Sequence, residues 1–317
     1  MPAFTHCCHA SCRACVEACP RAAWALDDDG LGLDTSACDS CGLCVPACPR
    51  GAITLPRPVV ILHDPHGVGS AWLACEKAEP CALAPIPCAH ALGVTDLDRM
   101  SEDGVGTLTV LTGPCEACAR NGGRSDLFAA GDLHSRISAS QGRAGVAVKR
   151  LDPRSFDRLL ARAREDHERI DRGRRRLFGA LVSSRATRPE STAAEAPLSR
   201  YQPVIDRQTC VACDACIRIC PDEALALGAG AKRSYVIRPE ACSGCRLCLD
   251  VCDRGAMALT APGPAKMAEL PLDSGRCRAC GVVYFTLTGT GAAGSGLCRI
   301  CSASNHHKNL FQVFGDE

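Results

Sequence analysis

One cysteine pattern occurs four times in this chain of 317 residues, and it limits the folds that the chain can adopt. Two residues separate each of the first three cysteines from the next, and three residues separate the third from a fourth, as in CDSCGLCVPACPR at 38–50. Cysteines so closely spaced converge on a metal more readily than they form disulfides with distant partners. The pattern therefore predicts segments that fold around metal centres instead of a large apolar core.

The four copies form an internal repeat of two pairs. They lie at 8–26, 38–55, 210–227 and 242–259. Each copy ends in a short apolar segment that is typical of a strand. The repeat therefore predicts two cysteine-rich modules, at 1–56 and 201–262.

The composition favours a protein organised by metals. The chain has 26 cysteines, whereas aromatic residues make up 4% and offer few large side chains for a core. The 36 basic and 35 acidic residues balance, so the net charge gives no electrostatic reason to expect binding to nucleic acid or to an anionic membrane. The opening residues show no basic stretch followed by an apolar one, and no apolar run reaches the ~18 residues of a membrane span. These features predict a reducing, cytoplasmic location, with membrane association only through a partner.

With a proline after the last cysteine in three copies, the pattern resembles that of bacterial two-cluster [4Fe–4S] ferredoxins. The resemblance covers 1–56 and 201–262 and implies a pseudo-symmetric β-α-β repeat in each module. It also implies that three cysteines of one run, with the fourth cysteine of the paired run at the entrance of a helix, hold one [4Fe–4S] cluster. The four ligand sets implied by the resemblance are Cys8, Cys12 and Cys15 with Cys48; Cys38, Cys41 and Cys44 with Cys19; Cys210, Cys213 and Cys216 with Cys252; and Cys242, Cys245 and Cys248 with Cys220.

Two departures from the ferredoxin pattern affect these assignments. Three residues separate Cys8 from Cys12, and Cys7 precedes Cys8, so either Cys7 or Cys8 is the first ligand. Cys8 is favoured because it needs a bulge of only one residue. Asp253 replaces the proline of the fourth copy, which is expected to alter the local backbone without removing a ligand. Zinc is the alternative metal, but a three-plus-one spacing repeated four times favours iron–sulfur clusters.

Between the modules, residues 57–182 alternate between strand-like and helix-like segments. Apolar, β-branched runs predict strands at 58–64, 106–113 and 144–152. Asp152 is the expected N-cap of a long helix at 153–182. Such alternation predicts a parallel sheet covered by helices on both faces. The predicted fold class is therefore multidomain, α+β and α/β, with two ferredoxin-like modules flanking an α/β parallel-sheet domain and a small zinc-ribbon tail.

Five cysteines of this middle domain are candidate metal ligands, namely Cys75, Cys81, Cys88, Cys115 and Cys118. Cys115 and Cys118 directly follow a predicted strand, and open α/β sheets bind ligands at the carboxyl ends of their strands. The arrangement is similar to the small iron–sulfur subunit of methyl-viologen-reducing hydrogenases. Three interpretations remain open: a fifth iron–sulfur cluster, a redox-active dithiol of Cys115 and Cys118, or structural thiols. The additional candidate ligands are His63, His66 and His90.

The tail at 270–317 contains the remaining cysteines, in two C-x-x-C pairs. They are Cys277 with Cys280, and Cys298 with Cys301, and 17 residues lie between the pairs. This spacing is typical of a zinc ribbon, in which the metal replaces a core that so short a segment cannot build. A rubredoxin-like iron centre is the alternative.

The sequence contains no recognisable catalytic base, nucleophile, flavin motif or pterin motif. Two modules separated by a predicted linker at 183–200, rich in Ser, Thr, Ala and Pro, favour a non-catalytic electron relay between protein partners. By resemblance, such dicluster subunits accompany formate dehydrogenases, hydrogenases and heterodisulfide-reductase-like complexes. The alternatives are an oxidoreductase whose middle domain reduces a substrate at a dithiol or open cluster, and an assembly or maturation factor for a redox complex.

Overall fold

The computed structural model describes residues 2–4, 12–28, 30–120, 126–177, 197–260, 262–289 and 296–304, with the backbone alone at 170–177. It contains two compact units, Met1–Ala196 and Pro197–Glu317. Two sequence predictions lie outside the described residues: the choice between Cys7 and Cys8, and most of the linker at 183–200.

The first module consists of short strands and helices that twice repeat the order strand, helix, strand. The elements are β1 (Ala3–Phe4), α1 (Ala14–Ala18), β2 (Trp24–Asp27), β3 (Gly30–Leu33), α2 (Cys44–Ala47) and β4 (Ile53–Thr54). Strands β1 and β4 pair antiparallel with Phe4 opposite Ile53, and β2 and β3 form a second antiparallel pair. The buried core comprises Cys15, Trp24, Cys44 and Ile53. Half of these core side chains are therefore thiols.

A four-stranded sheet with three helices follows in the same unit. The elements are β5 (Val60–His63), β6 (Gly69–Ala74), α3 (Val94–Glu102), β7 (Val105–Leu111), α4 (Leu127–Ser140), β8 (Ala147–Arg150) and α5 (Pro153–Leu177). The strand order is β5-β6-β7-β8, with β5 antiparallel to β6 and the other two pairs parallel. The prediction of a wholly parallel sheet is therefore wrong at one edge, and β6 was not predicted.

A tight turn at 64–67 causes the antiparallel pairing. The Asp64 carboxylate accepts the backbone N–H groups of His66 and Val68, each at 2.9 Å. The Asp64 N–H in turn donates to the Val68 carbonyl at 3.0 Å and closes the hairpin. Asp favours such turns because its side chain bonds to backbone N–H groups a few residues on. The chain therefore reverses directly from β5 into β6 instead of crossing over through a helix.

Helices cover both faces of this sheet, as predicted. On one face, Leu73 packs in a buried cluster with Leu97 of α3 and Leu127 of α4. On the other face, the Trp72 ring packs edge-on against Phe156 of α5, with 5.5 Å between the ring centroids. Alternate residues of β6 thus enter different cores, as the period of two in a strand requires.

Helix α5 begins where the sequence predicts. The Asp152 carboxylate accepts the Ser155 N–H at 3.0 Å, and Pro153 is the first helical residue. In the described part of the chain, neither this helix nor any other is long and apolar enough to cross a membrane.

The second unit repeats the arrangement of the first module and then adds strands. Its elements are β9 (Leu198–Ser199), β10 (Gln202–Ile205), α6 (Ala215–Ile219), β11 (Leu225–Leu227), β12 (Ser234–Ile237), α7 (Leu247–Asp250), β13 (Met257–Thr260), β14 (Gly263–Pro264), β15 (Ala268–Arg276), β16 (Val283–Leu287) and α8 (Arg299–Ser304). Strand β10 pairs antiparallel with β13, and β11 with β12. Both modules therefore show the β-α-β order that the resemblance implies.

The tail strands extend the sheet of the second module. Strand β15 pairs with β12 and β16 pairs with β15, so the sheet order is β11-β12-β15-β16. Leu272 of β15 and Leu287 of β16 are buried in the same apolar cluster as Leu225 and Tyr235 of the module. The two segments therefore share one core.

Candidate metal centres

In the second module, cysteines from both runs surround one cavity. Its lining includes Cys210, Cys213, Cys216 and Cys252. The first three precede or begin α6, whereas Cys252 follows α7. The fold thus brings three thiols of one run to the last thiol of the other.

The second set of thiols lies beside the first. Burial raises the pKa of the Cys248 thiol to about 12. The neighbouring thiols that raise it further are Cys242, Cys245, Cys216 and Cys220. Cys216 belongs to the other set, so the two sets are neighbours in the same core. Thiols in such surroundings stay protonated unless a metal supplies positive charge and takes them as thiolates.

The first module shows the same crossing of the two runs. Burial raises the pKa of Cys44, and the thiols of Cys19 and Cys38 raise it further. Cys19 ends the first run, yet it lies with the second run. Cys15 and Cys44 share the module's buried core, while Cys8 lies outside the described residues.

Left-handed backbone recurs at equivalent positions of the cysteine runs. The positive φ angles are at Ser40, Ala212 and Gly244, two residues after the first cysteine; at Gly42, Asp214 and Arg246, directly after the second; and at Ala22, Gly51, Glu223 and Gly255, three after the last. Residues with side chains adopt this region at a penalty of about 1–2 kcal/mol each. Turns of this kind direct successive N–H groups into a concave anion site, a device found in many iron–sulfur proteins. The loops therefore fit an anionic cluster.

Backbone N–H groups also bond to the last cysteine of the runs. Ala23 donates to Cys19 Sγ at 3.3 Å, and Ala256 donates to Cys252 Sγ at 3.2 Å. Ala52 makes the same contact with Cys48 Sγ at 3.3 Å. Hydrogen bonds to the ligand sulfurs are one of the features that set the potential of an iron–sulfur cluster.

Two expectations about the fourth cysteine of each run are wrong. Cys19, Cys48 and Cys220 follow the end of a helix instead of entering it, and the helix begins beside the third cysteine. Asp253 leaves the turn after Cys252 unaltered, since Gly255 N–H bonds to the Cys252 carbonyl at 3.1 Å. The proline-containing copy makes the same bond at 3.1 Å, from Gly51 to Cys48. The turn depends on the left-handed residue and not on the proline.

A buried tyrosine supports one ligand loop. The Tyr235 hydroxyl donates to Asp214 Oδ1 at 2.6 Å, and Asp214 directly follows Cys213. Burial raises the pKa of Tyr235, and the Asp214 carboxylate raises it further. Arg233 bonds the other carboxylate oxygen and stacks on Phe285 of β16 with 4.5 Å to the ring centroid.

Replacing Tyr235 with phenylalanine is expected to lower the free energy of unfolding of the second unit by about 1–2 kcal/mol. The change leaves a largely buried carboxylate with one hydrogen bond fewer. Anaerobic urea unfolding, followed by the absorbance of the clusters, measures the difference. Tyr284→Phe is the matched control, because no hydrogen bond of its hydroxyl is seen among the described residues. Equal unfolding midpoints for the two variants would count against a role for Tyr235.

The tail cysteines form a compact four-thiol site. The Sγ atoms of Cys277, Cys280, Cys298 and Cys301 all lie within 4.8 Å of one another, the one such group of three or more ligands in the described chain. The Cys280 and Cys298 sulfurs are 3.7 Å apart, and thiolates around one zinc ion at ~2.3 Å stand about 3.8 Å apart. Burial opposes ionisation of Cys277, but N–H groups of Cys298, Cys280 and Ala279 lower its pKa to about 6. The geometry therefore fits a single tetrahedral metal ion.

Four of the five middle-domain cysteines line one cavity of about 230 Å³, which we call the cysteine cavity. They are Cys75, Cys88, Cys115 and Cys118, and His90 lines the same cavity. Cys81 does not, because its loop turns toward α5, where Ala82 N–H bonds to Asp157 at 3.0 Å. The Cys81 thiol instead packs beside the apolar cluster under α5. Cys81 therefore lies apart from the other four thiols, contrary to the prediction that it is a metal ligand with them.

The other candidate histidines lie elsewhere. His66 is in the turn between β5 and β6, and the backbone N–H of His63 donates to His167 Nδ1 at 3.1 Å. Neither side chain lines the cysteine cavity.

Arg120 joins the first module to the middle domain, although no pattern in the sequence predicted this role. Its guanidinium donates to Asp39 and to Glu76, each at 2.8 Å, and to the Pro87 carbonyl at 2.6 Å. Asp39 stands between Cys38 and Cys41, and Glu76 follows Cys75. Burial opposes ionisation of Asp39, but bonds from Arg120, Cys41 and Arg21 lower its pKa to about 2. No local motif marks an ion pair between residues so distant in sequence.

Comparison with known families agrees with this geometry in two segments. Residues 203–259 match the 4Fe-4S dicluster domain family, and residues 32–54 match the 4Fe-4S binding domain family. No curated protein matches the chain. The chain therefore contains two ferredoxin-type 4Fe-4S domains. Such iron–sulfur-binding domains support a role in electron transfer.

Proposed function

We propose that the chain relays electrons between redox partners through four [4Fe–4S] clusters, as a non-catalytic subunit of a larger oxidoreductase. The complex would be of the formate dehydrogenase, hydrogenase or heterodisulfide-reductase type. The observation that carries the proposal is the meeting of Cys210, Cys213 and Cys216 with Cys252 around one cavity. Crossed ligation of this kind places two clusters in one small module.

The protein's own residues hold, insulate and connect the clusters. A bound [4Fe–4S] cluster accepts and releases single electrons at a potential set by hydrogen bonds, charge and solvent access. Cys216 and Cys248 lie in one buried cluster with Leu225 and Tyr235, so apolar side chains shield both ligand sets. Their proximity favours electron exchange within the module.

A partner would contact the second module beside the tail. Val282, Val283 and Ile300 are 58%, 54% and 60% exposed, which is high for large apolar side chains. They line a groove that also contains Cys213, a proposed cluster ligand. Exposed apolar patches mark protein interaction sites, and a redox partner seated here would lie next to a cluster. The tail, with a zinc ion as its proposed metal, would then serve as a docking element.

Serine replacements of Cys216 and Cys248 test the cluster assignment. Each replacement removes one ligand from a different set. Each is expected to lower the iron content by about four atoms per chain and the acid-labile sulfide content by about four as well. Elemental analysis and a colorimetric sulfide assay of anaerobically purified protein measure the loss. Cys81→Ser is the matched control and is expected to retain full iron. Unchanged sulfide in both ligand variants would contradict the assignment, because zinc sites contain none.

The stoichiometry of the assembled complex tests whether the chain is a permanent relay subunit or a maturation factor. A relay subunit is expected to copurify in equal amounts with a catalytic oxidoreductase subunit. A maturation factor would instead be absent from the finished complex.

A further inference from the structure

We propose that the middle domain holds a fifth iron–sulfur cluster, ligated by Cys75, Cys88, Cys115 and Cys118, which extends the relay out of the first module. This site lies outside the two segments that match 4Fe-4S families. It goes beyond the four clusters proposed above and does not depend on them.

The sheet topology brings the four cysteines together. Cys75 follows β6 and Cys115 follows β7, and these neighbouring strands are parallel, so both cysteines lie at the same edge of the sheet. Ile86 ties the loop before Cys88 to that edge, since its N–H donates to the Ala74 carbonyl at 2.8 Å. Carboxyl ends of parallel strands are the usual position for ligands in such sheets.

A glycine permits the closest approach of the two loops. A Cβ atom at Gly113 would lie 1.9 Å from the Lys77 carbonyl oxygen, so no larger residue fits there without moving backbone. Lys77 follows Cys75 by two residues and Gly113 precedes Cys115 by two. The close packing at Gly113 therefore keeps Cys115 near Cys75.

The spacing of the thiols is wider than that of the four-thiol site in the tail. No three of these thiols have sulfur atoms within 4.8 Å of one another, because among the described residues the tail cysteines alone meet that condition. Thiolates on one ion would be about 3.8 Å apart. In an iron–sulfur cluster the four thiolates are divided among two or four iron atoms, so no three of them converge on one ion. The cavity of about 230 Å³ leaves room for such a cluster.

The cavity lining is more basic than acidic. Three basic side chains line it, Lys77, Arg120 and Arg150, beside two acidic ones, Glu116 and Asp126. The Thr112 hydroxyl oxygen is buried and has no hydrogen-bond partner among the described residues, and Thr112 lines the same cavity. A buried hydroxyl normally has a partner, and a cluster sulfur would accept its proton.

His90 is oriented to donate to one of the ligands. The Leu127 N–H donates to His90 Nδ1 at 3.1 Å, so Nδ1 offers a lone pair and the proton of the neutral ring is on Nε2. The Nε2 atom is 3.4 Å from Cys115 Sγ. Hydrogen bonds to cluster sulfurs raise the reduction potential because they stabilise the more negative, reduced form. His90 is therefore a positioning residue that tunes this cluster.

The cavity adjoins the first ferredoxin module. Cys88 packs with Leu43 and with Cys41, a proposed ligand of the first module, in one small buried cluster. Arg120 links Asp39, beside Cys41, to Glu76, beside Cys75. Both contacts favour electron exchange between the fifth cluster and the cluster on Cys41.

Iron and sulfide analysis of the full chain, purified anaerobically, tests the proposal. Cys88→Ser and Cys115→Ser are each expected to lose about two to four iron atoms with equal sulfide, while the ferredoxin clusters remain. The reduced variants should also lose one component of the electron paramagnetic resonance spectrum. Cys81→Ser, a change in the same domain outside the cavity, should lose nothing. Unchanged iron and sulfide in both ligand variants would overturn the proposal, and so would a Cys115–Cys118 disulfide in peptide maps of the wild type.

A His90→Leu variant removes the donor and provides a test that keeps every thiol. Its iron content should equal that of the wild type. In a redox titration followed by electron paramagnetic resonance, the component of the fifth cluster should appear at a lower midpoint potential. The absence of any shift would contradict a cluster on Cys115. Since none of these changes replaces a ferredoxin ligand, failure here is distinguishable from failure of the four-cluster assignment, which rests on Cys216→Ser and Cys248→Ser.

Discussion

Replacing Cys301 with serine is expected to abolish binding of the metal ion proposed for the tail and to unfold both cysteine knuckles. The Cys301 side chain is 0% exposed, and the buried residues around it are Cys277 and Cys298. Tyr284 and Leu297 pack against this cluster but are only partly buried. With so few apolar side chains, the metal provides most of the local folding free energy, about 10–16 kcal/mol for structural zinc.

Zinc content and limited proteolysis measure this effect. The variant should contain about one zinc ion fewer per chain, with new cleavage sites near the knuckles. Ser302→Ala changes the exposed neighbour of Cys301 and serves as the control. Retained zinc with an unaltered cleavage pattern would contradict the metal site. A loss of iron without sulfide, in place of zinc, would identify a rubredoxin-like centre.

Replacing Arg120 with alanine is expected to lower the free energy of unfolding of the first unit by about 3 kcal/mol. The Arg120 side chain is 9% exposed and Asp39 is 22% exposed, so solvent compensates little for the lost ion pair. Glu76 also loses its guanidinium partner. The change removes the ion-pair network between the first module and the middle domain and leaves Asp39 with Arg21 as its basic partner.

Anaerobic urea unfolding measures this destabilisation, with Arg21→Ala as the control. Arg21 contacts the same Asp39 oxygen, at 3.2 Å, but its side chain is 47% exposed, so its loss should change stability by less than about 1 kcal/mol. The folded pKa of Asp39 is depressed from 3.8 to about 2. Its stabilising contribution is therefore present above about pH 4 and is lost as the pH falls toward 2. Equal effects of the two substitutions at neutral pH would contradict a special role for Arg120.

The cysteine spacing by itself determined where the metal-binding segments are. Runs such as Cys210, Cys213 and Cys216 contain most of one ligand set within seven positions, so geometry within the loop restricts what they can bind. The same holds for the tail, where each C-x-x-C pair supplies half of a four-thiol site. The strand and helix patterns likewise predicted the middle sheet and the start of α5 at Asp152.

Tertiary structure alone decided the arrangement of the middle domain. By sequence, Cys81 and Cys88 were equally good candidate ligands. The path of the loop toward α5 places Cys81 outside the cysteine cavity, whereas Cys88 lines it. Strand β6 was missed because a turn at 64–67, and not a helix, precedes it. Neither the Arg120–Asp39 pair nor the orientation of His90 toward Cys115 has a local signature. Ligands within one loop are fixed by short-range chain geometry, whereas ligands on separate strands meet only after the sheet has formed, and their meeting depends on packing that no short pattern encodes.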